Sequence, residues 1–456
     1  MKAIRIGLCI LTAFGVLSFG GVENWGNAVL EIGAALLFVL WAVLVSVRGR
    51  MELFWNWLFI PVFGLGGIAL VQYTAGFSVY PYLTKIELLR WSAYALLFFL
   101  AVESFQTKEQ IKQFVWFLLS LGFAVSLFGI IQHFTFNGRL YWTIAVPTAA
   151  SPFGPFVDLD HFAGFVELVV PLGLALLFFP SRRREQVLLL LLLTIVPIGA
   201  VFLSASRAGI IVLLLEFALV AVFSRMHRMG KKQLLGAMAV GLLAGGMMLW
   251  LGVKKALERF ELLAHEGLSR ELRVAMDEDT WRIFLDHPWT GTGLGTLIAV
   301  YPRYESFYNG TIVDHAHNDF LELLADTGLI GGLGGAFFIG VLFRQGFVNF
   351  RIAIGGAERA LIVGPLVACW GLLLHSLVDF NLHIPSNALI FLLLACMSVT
   401  EPVCQRHLGI EFMTRGCRPR SWRFCSARCA TNGHGQCDNR DGGEAGILPQ
   451  HTNPKT

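Results

Sequence analysis

Long apolar runs constrain this chain more than anything else in it. Ile32 to Val47, Val187 to Leu203 and Gly209 to Phe223 run almost without charge. A helix that spans a bilayer needs roughly 20 mostly apolar residues. Only 14% of the 456 residues are charged, against roughly 25% in an ordinary soluble domain. That is too little charge to clothe the surfaces of a soluble protein of this length. Soluble, disordered and fibrous folds are excluded. So is a transmembrane β-barrel, whose strands would alternate in polarity. The reading is an all-α polytopic membrane protein.

Hydropathy places about twelve spans, near 4–22, 28–47, 53–72, 86–103, 111–132, 160–180, 187–204, 208–223, 233–252, 319–343, 360–378 and 386–400. The basic start, Lys2 and Arg5, leads into an apolar run without a small-x-small cleavage site, so it reads as a first helix rather than a signal peptide. Positive charge then sets the orientation. Alternate short loops carry Arg48 and Arg50, Lys108 and Lys112, Arg182 to Arg184, Arg225 to Lys232, and Arg344, Arg351 and Arg359. The tail adds eight more. These segments and both termini are expected in the cytoplasm. The short loops opposite carry only Lys85, Arg90, Arg139 and Arg207. Two large outer segments result, 133–159 and 253–318, the second with helix-like stretches at Leu257 to His265 and Asp279 to Asp286. Residues 1–400 read as the membrane domain. Residues 401–456 read as a disordered cytoplasmic tail holding Cys404, Cys417, Cys425, Cys429 and Cys437, reduced there and without a standard zinc spacing. Cys9, Cys369 and Cys396 read as small core residues. A net charge of +4 implies no nucleic-acid partner.

Ionisable groups at a membrane are functional candidates by default, and those left over gather on the outer side. Arg207 sits in the turn Ser204 to Gly209 between two very apolar helices. Its forked guanidinium suits phosphate oxygens, although a snorkelling arginine is the plainer reading. Asp314-His-Ala-His-Asn-Asp319 leads into the next span. Asp314 or Asn318 suits a helix cap, and Asp319 and Glu322 suit the positive helix end. Residues 319, 322 and 326 share a face, an acidic stripe entering the membrane. His315 and His317 have a possible metal-ligand spacing but no standard partner set. Either could instead be a general base. The last outer turn holds His375, Asp379, Asn381 and His383, and a further set, Asp158, Asp160, His161 and Glu167, precedes and enters the sixth span. Gly291-x-Gly293-x-Gly295 resembles a phosphate loop weakly, with no strand or P-loop lysine beside it.

His317-Asn318, nine residues, then Gly328-x-x-Gly331 resembles the His-Asn and Gly-x-x-Gly pattern of bacterial O-antigen ligases and polymerases. Ser-Arg-Ala-Gly around Arg207, Arg273 followed by Asp286-His-Pro and the glycine run, Asp379 with Pro385, and Gly154 to Gly164 resemble family features in the same order. Asp277 departs from the pattern, which has an aromatic four residues after the arginine; the alternative register puts Arg270 in place of Arg273. The resemblance covers about residues 1–400. It implies an inverting glycosyltransferase of the bacterial inner membrane that works at the periplasmic face, in lipopolysaccharide biosynthesis or a related pathway. The implied donor is a glycan on undecaprenyl pyrophosphate. The acceptor is lipid A–core, a growing polysaccharide or a protein hydroxyl. No metal and no cofactor are implied. On this resemblance His317 is the base, and Arg207 and Arg273 clamp the pyrophosphate. Asn318, Asp319, Glu322, Asp379 and His161 support them. A transporter of a small anion or glycan and an envelope scaffold are the alternatives. A transporter is expected to hold its polar groups near the midplane, whereas here they collect at one face.

Overall fold

The structure is a computed structural model and describes residues 1–49, 52–146, 151–179, 184–226, 267–307, 312–400 and 407–409. It is helical nearly throughout. In chain order the main helices are α1 Lys2–Leu17, α2 Asn24–Arg48, α3 Phe59–Thr74, α4 Pro81–Ser104, α5 Lys108–Phe134, α6 Leu159–Phe178, α7 Arg184–Ser204, α8 Arg207–Arg225, α9 Gly267–Asp286, α10 Asp319–Ile352, α11 Gly356–His375 and α12 Pro385–Val399. The expected span at 233–252, the stretch Leu257 to His265 and most of the tail lie outside the described residues. Every other expected span coincides with a helix. Among the described residues, seven helices are long and apolar enough to cross a membrane, and two more, α3 and α12, are apolar but shorter. This is a multi-pass membrane protein.

Strand structure is confined to two small pairs among the described residues. Arg139–Leu140 and Ile144–Ala145 form a hairpin after α5. Glu52–Phe54 pairs antiparallel with His407–Gly409. The third span therefore starts later than expected, at Phe59 rather than near 53, because residues 52–54 are extended.

Helix boundaries follow local chemistry. Thr107 and Gln110 make a reciprocal capping box at α5, and the side chains of Asp158, Ser206 and Asn318 cap α6, α8 and α10. Each satisfies amides that a helix start leaves without partners. The bundle is organised around α6 and α12. Nearly every residue of α6 is buried, and all of α12 is, as expected of helices that are apolar all round. α6 packs on α11, where Gly364 lets the Leu172 backbone approach: a Cβ there would stand 3.0 Å from Leu172 Cα. Small residues serve this purpose in membrane helix packing.

Contacts between helix ends sort the bundle into two ends. At one, Lys108 Nζ meets Glu358 at 2.8 Å and Arg5 donates to the Ser104 carbonyl. At the other, Asn387 donates to the His161 carbonyl and the Asp319 amide donates to the Ser376 carbonyl. The starts of α6 and α10, the end of α11 and the start of α12 thus share one end.

Candidate active site

Four segments far apart in the chain meet at that end. The first is Asp314 to Asn318, leading into α10. His317 has φ 51°, a left-handed conformation that non-glycine residues rarely adopt, histidine more readily than most. Asn318 returns to extended backbone, and its Oδ1 accepts from the amides of Phe320 and Leu321, both at 3.2 Å. Of the two caps open in the sequence, Asn318 is the one used; Asp314 instead accepts from the His315 amide. The left-handed turn at His317 carries its ring out of the helical path and over the loop after α11.

That loop, residues 376–384, supplies Asp379. His317 Nδ1 lies 3.1 Å from Asp379 Oδ1. A carboxylate can only accept, so the geometry assigns the proton to Nδ1 and leaves Nε2 as a lone-pair acceptor. His161 Nε2 stands 4.0 Å from the other oxygen, Oδ2. Asp379 is buried. Burial pushes its carboxyl up, but the His317 hydrogen bond and the charges of His161, His375 and His317 outweigh this and hold it well below the usual carboxylate range.

Phe380 is the hub between two sets of histidines. His161 and His317 meet its ring edge-on, with centroids 4.7 and 4.9 Å away, and His315 stacks on it at 4.6 Å. Beyond it lies the second set. His315 Nδ1 is 2.8 Å from Glu322 Oε1. His383 Nε2 is 3.3 Å from the same oxygen, and its Nδ1 is 2.6 Å from Asp319 Oδ1. Burial pulls the His383 ring down, but Glu322 and Asp319 more than offset it and push it up to about 10. The acidic stripe of Asp319, Glu322 and Asp326 is buried along its whole length.

The two arginines reach this end differently. α9 brings Arg273, whose Nη1 donates to the Val378 carbonyl at 3.4 Å, next to Asp379. One turn on, Asp277 hydrogen-bonds the Asn318 side chain; burial raises its carboxyl, partly offset by that bond and by His317 and Arg273. The residue that departs from the family pattern thus fastens α9 to the start of α10. The side chain of Arg270 lies outside the described residues. Arg207, half-buried, opens α8. Its neighbour Ser206 caps the helix and donates to Asp160 at 2.5 Å, in the same segment as His161.

The glycine run is not a phosphate cradle, and the reason is its amides. The amide of Gly291 donates to the His287 carbonyl, that of Thr292 to Ala325 and that of Gly293 to Asp326. Leu294 donates to Gln72 Oε1 and Gly295 to Asp326 Oδ2. All are engaged within the protein. Gly291, Gly293 and Gly295 have φ of 67°, 119° and 75°, so the run coils tightly against the interruption of α10 at Gly328 (φ 62°, ψ −164°). A Cβ at Gly328 would overlap the Trp289 carbonyl.

Residues 188–335 match the O-antigen ligase family model. That segment, about a third of the chain, is similar to an O-antigen ligase domain. No curated protein matches the chain. The domain marks an O-antigen ligase- or polymerase-like membrane enzyme. Its matched segment holds Arg207, Arg273 and His317, together with Asn318, Asp319 and Glu322. Asp379, His383 and His161 come from outside it and are brought in by the bundle. The sequence points to all of these but not to Phe380, which looks like one more apolar residue. Nor does it single out Glu216, buried in α8 with neither carboxyl oxygen hydrogen-bonded. A lone acid in so apolar a helix is the signal that was there to read. Glu167 and His375, noted only as members of separate clusters, form a wholly buried pair at 2.8 Å.

Proposed function

We propose that this protein transfers a glycan from undecaprenyl pyrophosphate to an acceptor hydroxyl at the periplasmic face of the inner membrane, with inversion. The observation that carries the reading is the His317–Asp379 pair, with the ring's Nε2 left as a base. His317 takes the proton of the acceptor hydroxyl as its oxygen forms a bond to the anomeric carbon. The bond from that carbon to the pyrophosphate oxygen breaks, and the electron pair leaves with the pyrophosphate. Pyrophosphate is a good leaving group, so the main need is to stabilise its growing negative charge. Arg207 and Arg273 supply that as an electrostatic clamp. Asp379 holds the His317 ring and stabilises the imidazolium that forms. His161 supports Asp379 from its other oxygen.

A cavity of about 490 Å³ supports a lipid-linked donor. It lies between α3, α4, α10 and α12. Trp91, Tyr94, Leu324, Phe338 and Phe391 are among its walls, and Asp319 and His383 form part of its lining. An apolar space beside ionisable groups suits a prenyl chain whose charged head stays at the membrane surface. The acceptor class, whether lipid A–core, growing polysaccharide or protein, follows from experiment. Single substitution of His317, Arg207 and Arg273 by alanine, with the protein still present in the membrane, should abolish long surface glycan. Normal glycan in His317→Ala would overturn the assignment. Polymer retained on the carrier lipid would identify a ligase, and core bearing a single repeat a polymerase.

A further inference from the structure

We infer that His315, Glu322 and His383 form a binding site for one divalent transition-metal ion, with zinc as the best-matched probe. His315 Nδ1, Glu322 Oε1 and His383 Nε2 lie within 4.8 Å of one another. Two imidazoles and a carboxylate are a recurrent ligand set for zinc and its neighbours. The three ligands come from three places: the loop before α10, the first turn of α10 and the loop before α12.

The surroundings match a metal site beyond its ligands. Metal-bound histidines commonly donate their second ring N–H to a carboxylate, which fixes the ring. His383 Nδ1 does this to Asp319 Oδ1 at 2.6 Å. Asp319 is held in turn by the Leu382 amide at 2.9 Å. The oxygen of Glu322 not facing the histidines accepts from the Ala316 amide, also at 2.9 Å. Phe380 stacks on His315 and fixes that ring too.

Charge balance points the same way. Asp319 and Glu322 are 5% and 1% exposed. Among the described residues, their only ion-pair partners are histidines. Two buried carboxylates need two positive charges nearby, since an unpaired buried charge is costly. One divalent cation with two neutral imidazoles supplies them. The ion would tie the 376–384 loop, which carries Asp379, to the start of α10. Its role is to brace that loop; the transfer chemistry proposed above is routed through His317 and does not depend on it.

The test uses the full chain in detergent, with its cysteines alkylated so that the tail thiols take no metal. After chelation and removal of the chelator, Zn²⁺ is titrated and bound metal counted; Co²⁺ serves as a spectroscopic stand-in. Wild-type protein is expected to bind one equivalent and to show a cobalt spectrum of nitrogen and oxygen ligation. His315→Ala and His383→Ala should each lose that equivalent. Asp319→Asn should weaken binding about 10- to 100-fold, the usual effect of removing a carboxylate behind a histidine ligand. His317→Ala, which leaves the three ligands in place, should bind as the wild type does. The inference is overturned if alkylated wild-type protein binds no metal, in which case His383 is an imidazolium held between two carboxylates. It is equally overturned if the His315/His383 double variant binds as much as wild type. Should the variants fail to fold, X-ray absorption on the zinc-loaded wild type decides: sulfur or all-oxygen ligation refutes the site.

Discussion

Gly328→Ala tests the joint on which the site stands. Gly328 interrupts α10 at φ 62° and ψ −164°, a region essentially closed to residues with a Cβ. Holding alanine there costs about 1–3 kcal/mol in backbone strain. The new methyl would also overlap the Trp289 carbonyl and stand 2.6 Å from the Thr290 amide. Relief requires the 288–290 backbone to move, yet it is pinned from several sides. The Leu329 amide donates to Pro288 at 2.8 Å, and Gln72 donates to the Thr290 carbonyl at 2.6 Å. Overpacking of this kind adds about 1–3 kcal/mol. The combined loss is about 2–6 kcal/mol, a large share of the stability of a typical domain. Gly334→Ala is the control: it lies six residues on in the same helix, and a Cβ there meets nothing within 4 Å. It should be neutral or stabilising by up to about 1 kcal/mol. Thermal unfolding in detergent, followed by tryptophan fluorescence, compares the two. Equal midpoints for Gly328→Ala and Gly334→Ala would refute the strained-joint account.

Other consequences follow for the charged groups. Asp379→Asn should lower transfer by about 10²–10⁴-fold, the range of general-base catalysis, with little change in donor binding; wild-type turnover would refute the pairing. Asp379 also contributes stability through its depressed carboxyl. That contribution is fully present above about pH 4, the ordinary aspartate value, and fades as pH falls toward the lower folded value. The stability gap between wild type and Asp379→Asn should therefore close as pH falls below about 4, as chemical unfolding at several pH values will register. Breaking the buried Glu167–His375 pair with His375→Leu should cost about 3–5 kcal/mol, because it strands a carboxylate. The Glu167→Leu/His375→Leu double variant should be more stable than that single one, and a double-mutant cycle with additive losses would count against the pair. Arg207→Ala or Arg273→Ala should each reduce kcat by about 10²–10³-fold if they stabilise the leaving group, with lysine restoring only part; full activity in Arg273→Lys would show that the fork geometry is irrelevant.

The apolar runs by themselves determined a helical, multi-pass membrane protein and located its helices, because a segment in lipid must satisfy its own backbone and only a helix does so locally. Scarce charge did the next part. With so few ionisable residues in and beside the spans, His317, Asp379 and Glu322 stood out without any knowledge of their neighbours, the family resemblance pointed to Arg273, and Asp314 or Asn318 read as the cap of the next helix. What the pattern along the chain cannot carry is which helix faces which. His317 meets Asp379 across 62 residues, and Glu167 meets His375 across 208. The second pair exists because α6 and α11 pack closely enough to bring the end of one beside the start of the other, and the first because the start of α10 is bonded to the loop after α11 through the Asp319 amide and the Ser376 carbonyl. The glycine run illustrates the same limit. Its residue types suit a phosphate loop, and only the packing of Gln72 and Asp326 against it decides that its amides are already bonded. Hydropathy and capping are local quantities. Partner choice depends on shape and on buried polar groups satisfied across the bundle, and that is settled only when the helices pack.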